Sequence, residues 1–128
     1  MTSPTQGRVY NIGGQAETTN IEIVRTLCAL VDLRFAASAE LRATFPDAPA
    51  ARGRRAADLI IHVRDRPGHD RRYAIDFTKA KHELGYAPSR SLERGLDETV
   101  EWYLHNRPWW ETLLGRDYAA WVEKNYRR

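Results

Sequence analysis

The chain has 128 residues, 42% apolar and 29% charged, which fits one small soluble domain able to bury a core. Its net charge is only +3, and the densest basic stretch, Arg64, Arg66, Arg71 and Arg72, is interrupted by Asp65 and Asp70, so a nucleic-acid-binding face is not expected. No apolar run is long enough to cross a membrane and no secretory signal is expected in MTSPTQGRVYNIGG. One cysteine, Cys28, excludes an internal disulfide and a cysteine-clustered zinc site, and a reducing, cytoplasmic setting is expected.

Residues 8–12 alternate enough to predict a short strand, ended by Gly13 and Gly14. Thr19 followed by Glu22 is the pattern of a capping box, and Ile21, Val24, Leu27, Cys28 and Val31 then recur at helical spacing. The helix is expected to end near Asp32. Residues 33–57 read as a variable, mobile segment, with a second helix possible from Leu33 to Phe45 before Pro46, Pro49 and Gly53 break the chain into a loop. Residues 58–64 and 72–75 predict two further short strands, separated by a turn on Pro67 and Gly68.

Asp76 is placed to cap a short helix that stops at Gly85, with Pro88 beyond it. Ser91 opens a longer helix whose apolar stripe is Leu92, Leu96, Val100, Tyr103 and Leu104, bounded by Pro108. The remainder predicts two short helical segments divided by Gly115 and carries three of the four tryptophans. Together these elements predict one domain over 1–128, an α/β fold: a small, mixed, helix-rich domain with about three short strands.

The chemistry is narrowed first by what is missing. No Gly-rich strand-to-helix turn marks a nicotinamide dinucleotide site, and no tyrosine is followed four residues later by lysine. His62, His69, His82 and His105 have no metal-ligand spacing. Cys28 sits on the apolar helix face and reads as a small core residue. What remains is RDRPGHDRRYAID. Arginine suits a diphosphate because its planar fork offers fixed donors and stays charged, and a Pro67–Gly68 turn can hold Arg66 near His69. On spacing alone, a surface turn with the arginines paired to Asp65 and Asp70 is the simpler account.

Four blocks change that balance. YNIGGQAETTNIEIVRTLCALVD, RDRPGHDRRYAIDFTKAKHELGYAP, SLERGLDETVEWYLHN and YAAWVEKNYR follow one another as in dTDP-glucose 4,6-dehydratases, members of the extended short-chain dehydrogenase/reductase superfamily, and the chain resembles the C-terminal, substrate-binding part of that family. The resemblance covers residues 9–127, least well over 33–57. It implies that Asn20 and Arg66 hold the diphosphate of a dTDP-sugar, that His69 is a further nucleotide contact, and that Tyr126 closes over the nucleotide. Asn20 opens a helix, where free N–H groups favour an anion, which agrees with that role. The family's NAD and its catalytic tyrosine and lysine belong to an N-terminal Rossmann domain with no counterpart here, as in a truncated product. No cofactor, metal or catalytic residue is therefore expected in this chain.

The resemblance also implies bare apolar surfaces, and hence a homo-oligomer or a Rossmann-domain partner chain. Three readings follow: a detached nucleotide-sugar-binding portion inactive alone, half of a split dehydratase completed by a separate NAD-binding chain, or a non-enzymatic protein-interaction module.

Overall fold

The computed structural model describes residues 7–63, 67–68 and 74–114, together with 118, 120, 121 and 124. In chain order these form α1 (Asn20–Ala37), α2 (Ala39–Thr44), two 3-10 turns (Pro49–Arg52 and Ala56–Leu59), α3 (Thr78–Leu84), α4 (Leu92–His105) and α5 (Arg107–Leu113). None of these helices is long and apolar enough to cross a membrane.

The capping box forms as the sequence requires. The Glu22 carboxylate accepts from the Thr19 N–H at 2.8 Å, and the Glu22 N–H donates to the Thr19 hydroxyl. That carboxylate also accepts from the hydroxyls of Thr19 and Thr18 at 2.6 and 2.9 Å. These bonds favour the ionised form and pull the Glu22 pKa from 4.5 down to about 2, the Thr19 hydroxyl contributing most. Because the folded value lies below the unfolded one, the stabilisation is present above about pH 4.5 and is lost as pH falls through about 2. An acid titration followed by carboxyl NMR should show Glu22 titrating last among the glutamates, and Glu22→Gln should flatten that part of the acid-unfolding curve.

The first helix runs five residues past the expected stop at Asp32, because Phe35 turns inward and is buried. It ends at Ser38, whose extended backbone serves two helices. The Ser38 N–H donates to the Arg34 carbonyl, closing α1, while its hydroxyl accepts from the Leu41 N–H, opening α2. Arg42 then reaches back to the carbonyls of Phe35 and Ala36 at the end of α1. Beyond α2, where the sequence predicts a loop, the chain forms the two 3-10 turns and packs both on α1. Asp32 fixes the second of them by accepting from the Ala56 N–H at 2.8 Å.

Across the domain, α4 packs on α1 through its Val100 stripe, and Arg34 bridges the pair by donating to Asp97 and, at 2.7 Å, to Glu101. Both carboxylates are largely solvated, so these bonds fix orientation more than they add stability, roughly 1 kcal/mol or less each. Arg107 joins α5 to α2 through the Thr44 carbonyl at 2.7 Å. Proline is tolerated at position 108 because it falls in the first turn of α5, where no intrahelical N–H partner is lost.

The expected α/β architecture with about three strands is not found: no described residue lies in a strand. Residues 58–59 belong to the second 3-10 turn, residues 60–63 and 74–75 have no ladder partner, and residues 64, 72 and 73 lie outside the described set. Residues 8–12 run beside α3 but are held by side chains. Lys79 Nζ donates to the Val9 carbonyl at 2.9 Å, Asn11 Nδ2 to the Asp76 carbonyl at 3.3 Å, and Tyr86 Oη to the Gly13 carbonyl at 3.2 Å. A β-rich sequence fits a pleated, half-buried surface and forms a strand only where another strand completes it. Here Val9 and Ile61 are 80% and 74% exposed.

Candidate functional site

An open groove of about 820 Å³ lies between residues 13–17 and 74–76. Its walls meet closely. A Cβ on Gly13 would stand 3.2 Å from both Cβ and the carbonyl oxygen of Ile75, so a side chain there would require the two walls to give by a few tenths of an ångström. Gln15, on the same rim, adopts a left-handed φ of 52°. From Ile75 the chain passes through Asp76 into α3. Asp76 does not occupy the cap position expected of it: Phe77 does, with no side-chain bond, while Asp76 accepts from the Thr78 N–H at 2.8 Å from one residue earlier. Bonding to the Thr78 hydroxyl and backbone lowers the Asp76 pKa. Helix α3 does stop at Gly85, whose φ of 67° and whose successor's bond from the Tyr86 N–H to the Ala80 carbonyl form a Schellman end.

The charged side chains among the described lining residues are Glu17 and Asp76, both acidic. Such a wall repels a diphosphate and suits hydroxyl groups, because a carboxylate accepts hydrogen bonds through both oxygens. In the sequence, the four arginines of RDRPGHDRRY precede the lining residue Ala74. Of that segment, Pro67 and Gly68 are described. They form the expected turn, with Gly68 at φ 73°.

Of the four residues predicted to contact a ligand, Asn20 is the first residue of α1 and is exposed, three residues beyond the groove rim at Glu17. The positive end of its helix is already met by the Glu22 carboxylate. Arg66, His69 and Tyr126 lie outside the described residues. Gln15 and Glu17 were not singled out by the sequence, and Asp76 was read as a helix cap and not as part of a groove; the hint of their wall was the Gly13–Gly14 pair. Cys28 is half-buried, and burial followed by the nearby Asp32 pushes its thiol up, away from the thiolate a nucleophile requires. Among the described residues no cluster of three metal-ligating side chains occurs.

Residues 3–99 match the family described as GDP-mannose 4,6 dehydratase, and the chain belongs to that family. Within it, the chain is similar to dTDP-glucose 4,6-dehydratases over nearly its whole length. It is 45% identical to that of Neisseria meningitidis serogroup B over 118 residues, 92% of this chain and 30% of the relative. It is 42% identical to that of Shigella flexneri over 126 residues, 98% of this chain and 31% of the relative. Over 126 residues it is 40% identical to dTDP-glucose 4,6-dehydratase 1 of Escherichia coli K12, again 31% of the relative. The chain thus spans about three-tenths of the length of these relatives, a C-terminal portion of them.

Proposed function

We propose that these residues form the nucleotide-sugar-binding portion of a dTDP-glucose 4,6-dehydratase-like protein. Asn20 and Arg66 hold the diphosphate, His69 makes a further nucleotide contact, and Tyr126 closes over the nucleotide. The observation that carries this reading is the 40–45% identity to proteins of that name across as much as 98% of the chain. The groove supports it chemically. Its acidic wall offers acceptors to sugar hydroxyls, and the sequence RDRPGHDRRY, next in the chain to the lining residue Ala74, supplies arginines whose permanent charge suits phosphate oxygens. Arginine at position 66 keeps its positive charge at any physiological pH.

The residues present do not fit NAD. They include no glycine-rich strand-to-helix turn to bring a backbone against a pyrophosphate and no tyrosine–lysine pair at a spacing of four. The portion therefore binds and orients the sugar nucleotide, and these 128 residues by themselves catalyse no dehydration.

Calorimetric titration with dTDP and dTDP-glucose tests the reading. Saturable binding is expected, weakened at least about tenfold in Arg66→Ala, since a hydrogen bond to a charged group contributes roughly 1.5–3 kcal/mol. Thymidine without phosphates should bind neither form. Absence of binding at millimolar dTDP and dTDP-glucose, or equal affinity in Arg66→Ala, would overturn it.

A further inference from the structure

Residues 8–12 lead directly into the groove wall at residues 13–17, and side chains fasten them to α3. Glu83 is the centre of that fastening. One of its oxygens, Oε2, accepts from the Tyr10 hydroxyl at 2.8 Å and from Arg8 Nη1 at 3.0 Å. Arg8 and Tyr10 are two apart in the sequence and reach the same atom, the alternation of an extended stretch. Lys79 lies one turn before Glu83 on α3. Its Nζ stands over the Tyr10 ring, 4.7 Å from the centroid, and donates to the Val9 carbonyl at 2.9 Å. Tyr10 is thus held both at its hydroxyl and across its ring. The Tyr10 hydroxyl, and after it Arg8, keep the Glu83 carboxyl below its ordinary value against partial burial, so it is ionised at neutral pH.

We propose that Glu83 is a positioning residue for the groove: through Tyr10 it sets where residues 13–17 stand against Ile75, and so whether a sugar nucleotide fits between the walls. Bond strength decides which anchor governs the wall. The Asn11 amide on the Asp76 carbonyl and the Tyr86 hydroxyl on the Gly13 carbonyl, at 3.3 and 3.2 Å, are long for their kinds. The Tyr10 bond is short, part-buried and made to a charged acceptor, the stronger class. The Arg8 bond is also made to that charge, but its guanidinium is half exposed and screened by solvent, so it adds less. Tyr10 stands three residues before Gly13, close enough for its anchor to be felt at the wall. Glu83 is not among the residues that line the groove, so it acts through Tyr10 and not on the ligand.

Two readouts on the 128-residue chain test this, and only the second rests on the nucleotide-sugar reading above. The first needs no ligand: a nuclear Overhauser cross-peak between the Gly13 α-protons and the Ile75 methyl group reports the approach of the walls. Glu83→Ala should lose most of that cross-peak and bind dTDP-glucose at least about fivefold more weakly, the effect of one hydrogen bond to a charged group. Glu83→Gln keeps a carbonyl that accepts from Tyr10 and should retain the cross-peak and the affinity. Tyr10→Phe deletes a single hydroxyl, should behave as Glu83→Ala does, and gives the reading if the alanine variant unfolds. The contact between the Phe35 and Phe45 rings, made without α3, should persist in all three. An undiminished Gly13–Ile75 cross-peak in Glu83→Ala and Tyr10→Phe overturns the proposal. So does its loss together with the Phe35–Phe45 contact in both, which is general loosening, or a failure of Glu83→Gln to restore it. Normal dTDP-glucose affinity in a variant that has lost the cross-peak overturns it as well. If the parent chain itself binds no dTDP-glucose, the nucleotide-sugar reading fails, and with it the role proposed for Glu83 in admitting a ligand, while the cross-peak still shows whether Glu83 sets the wall.

Discussion

Phe35→Ala is expected to destabilise the domain by about 3–5 kcal/mol, the usual cost of deleting a buried phenylalanine ring and leaving a cavity. Phe35 is only 3% exposed, and the buried residues among those described are few: Phe35, Phe77, Ala80 and Val100. Its ring lies 6.1 Å from Phe45, which stacks on Trp110 at 6.4 Å, so one aromatic row ties α1 to the end of α2 and to α5. Arg107 lies over the Phe45 ring at 5.0 Å and closes the row on its outer side. Native domains of this size hold about 5–15 kcal/mol in total, so one such loss removes a large share. Thermal unfolding followed by circular dichroism should show a midpoint lowered by roughly 10–20 °C. Phe35→Leu, which keeps most of the volume, should cost clearly less. A fall of under about 1 kcal/mol for the alanine variant would mean that the aromatic row is not the core.

What the sequence revealed and what it concealed follow from how local each feature is. The start of α1 was legible because Thr19 and Glu22 satisfy each other within one turn. The stop of α3 and the start of α4 were legible for the same reason: Gly85 takes a left-handed φ, and the Ser91 hydroxyl accepts from the Arg94 N–H. The Pro67–Gly68 turn is another local device. Ser38 was not legible, since a serine in an alanine-rich run reads equally as helix interior or as a junction, and only the burial of Phe35 on one side of it decides. The three strands failed because a strand depends on a partner distant in sequence. In the first of them the Val9 carbonyl accepts from the Lys79 side chain, not from a neighbouring strand. The groove was hidden likewise. Its two walls are some sixty residues apart, and nothing in the local pattern of Glu17 or Asp76 says that they face one space. The assignments of Arg66, His69 and Tyr126 as nucleotide-sugar contacts came from resemblance, which reaches further than periodicity because it carries long-range arrangement inherited whole.

The paired glycines give the groove its sharpest test. Gly13→Val is expected to destabilise the domain by about 1–3 kcal/mol, because added carbon atoms must displace packed neighbours. A Cβ at position 13 would already stand 3.2 Å from the Ile75 carbonyl oxygen and Cβ and 3.3 Å from its Cγ2. One of those neighbours is backbone, so relief requires residues 74–76 to move away from residues 13–17, and those two stretches are the walls of the groove. Gly14 differs sharply although it is the next residue. A Cβ there meets nothing within 4 Å, and Gly14→Ala should stay within about 0.5 kcal/mol of the parent. Urea unfolding of the two variants separates the packing effect from any general effect of losing a glycine. If the groove receives the sugar nucleotide, the calorimetric titration with dTDP-glucose should fail or weaken at least tenfold in Gly13→Val under conditions where that variant is still folded, and stay unchanged in Gly14→Ala. Equal stability of the two variants would show that the close approach of Gly13 to Ile75 does not hold the walls together. A folded Gly13→Val that binds dTDP-glucose normally would move the ligand out of this groove.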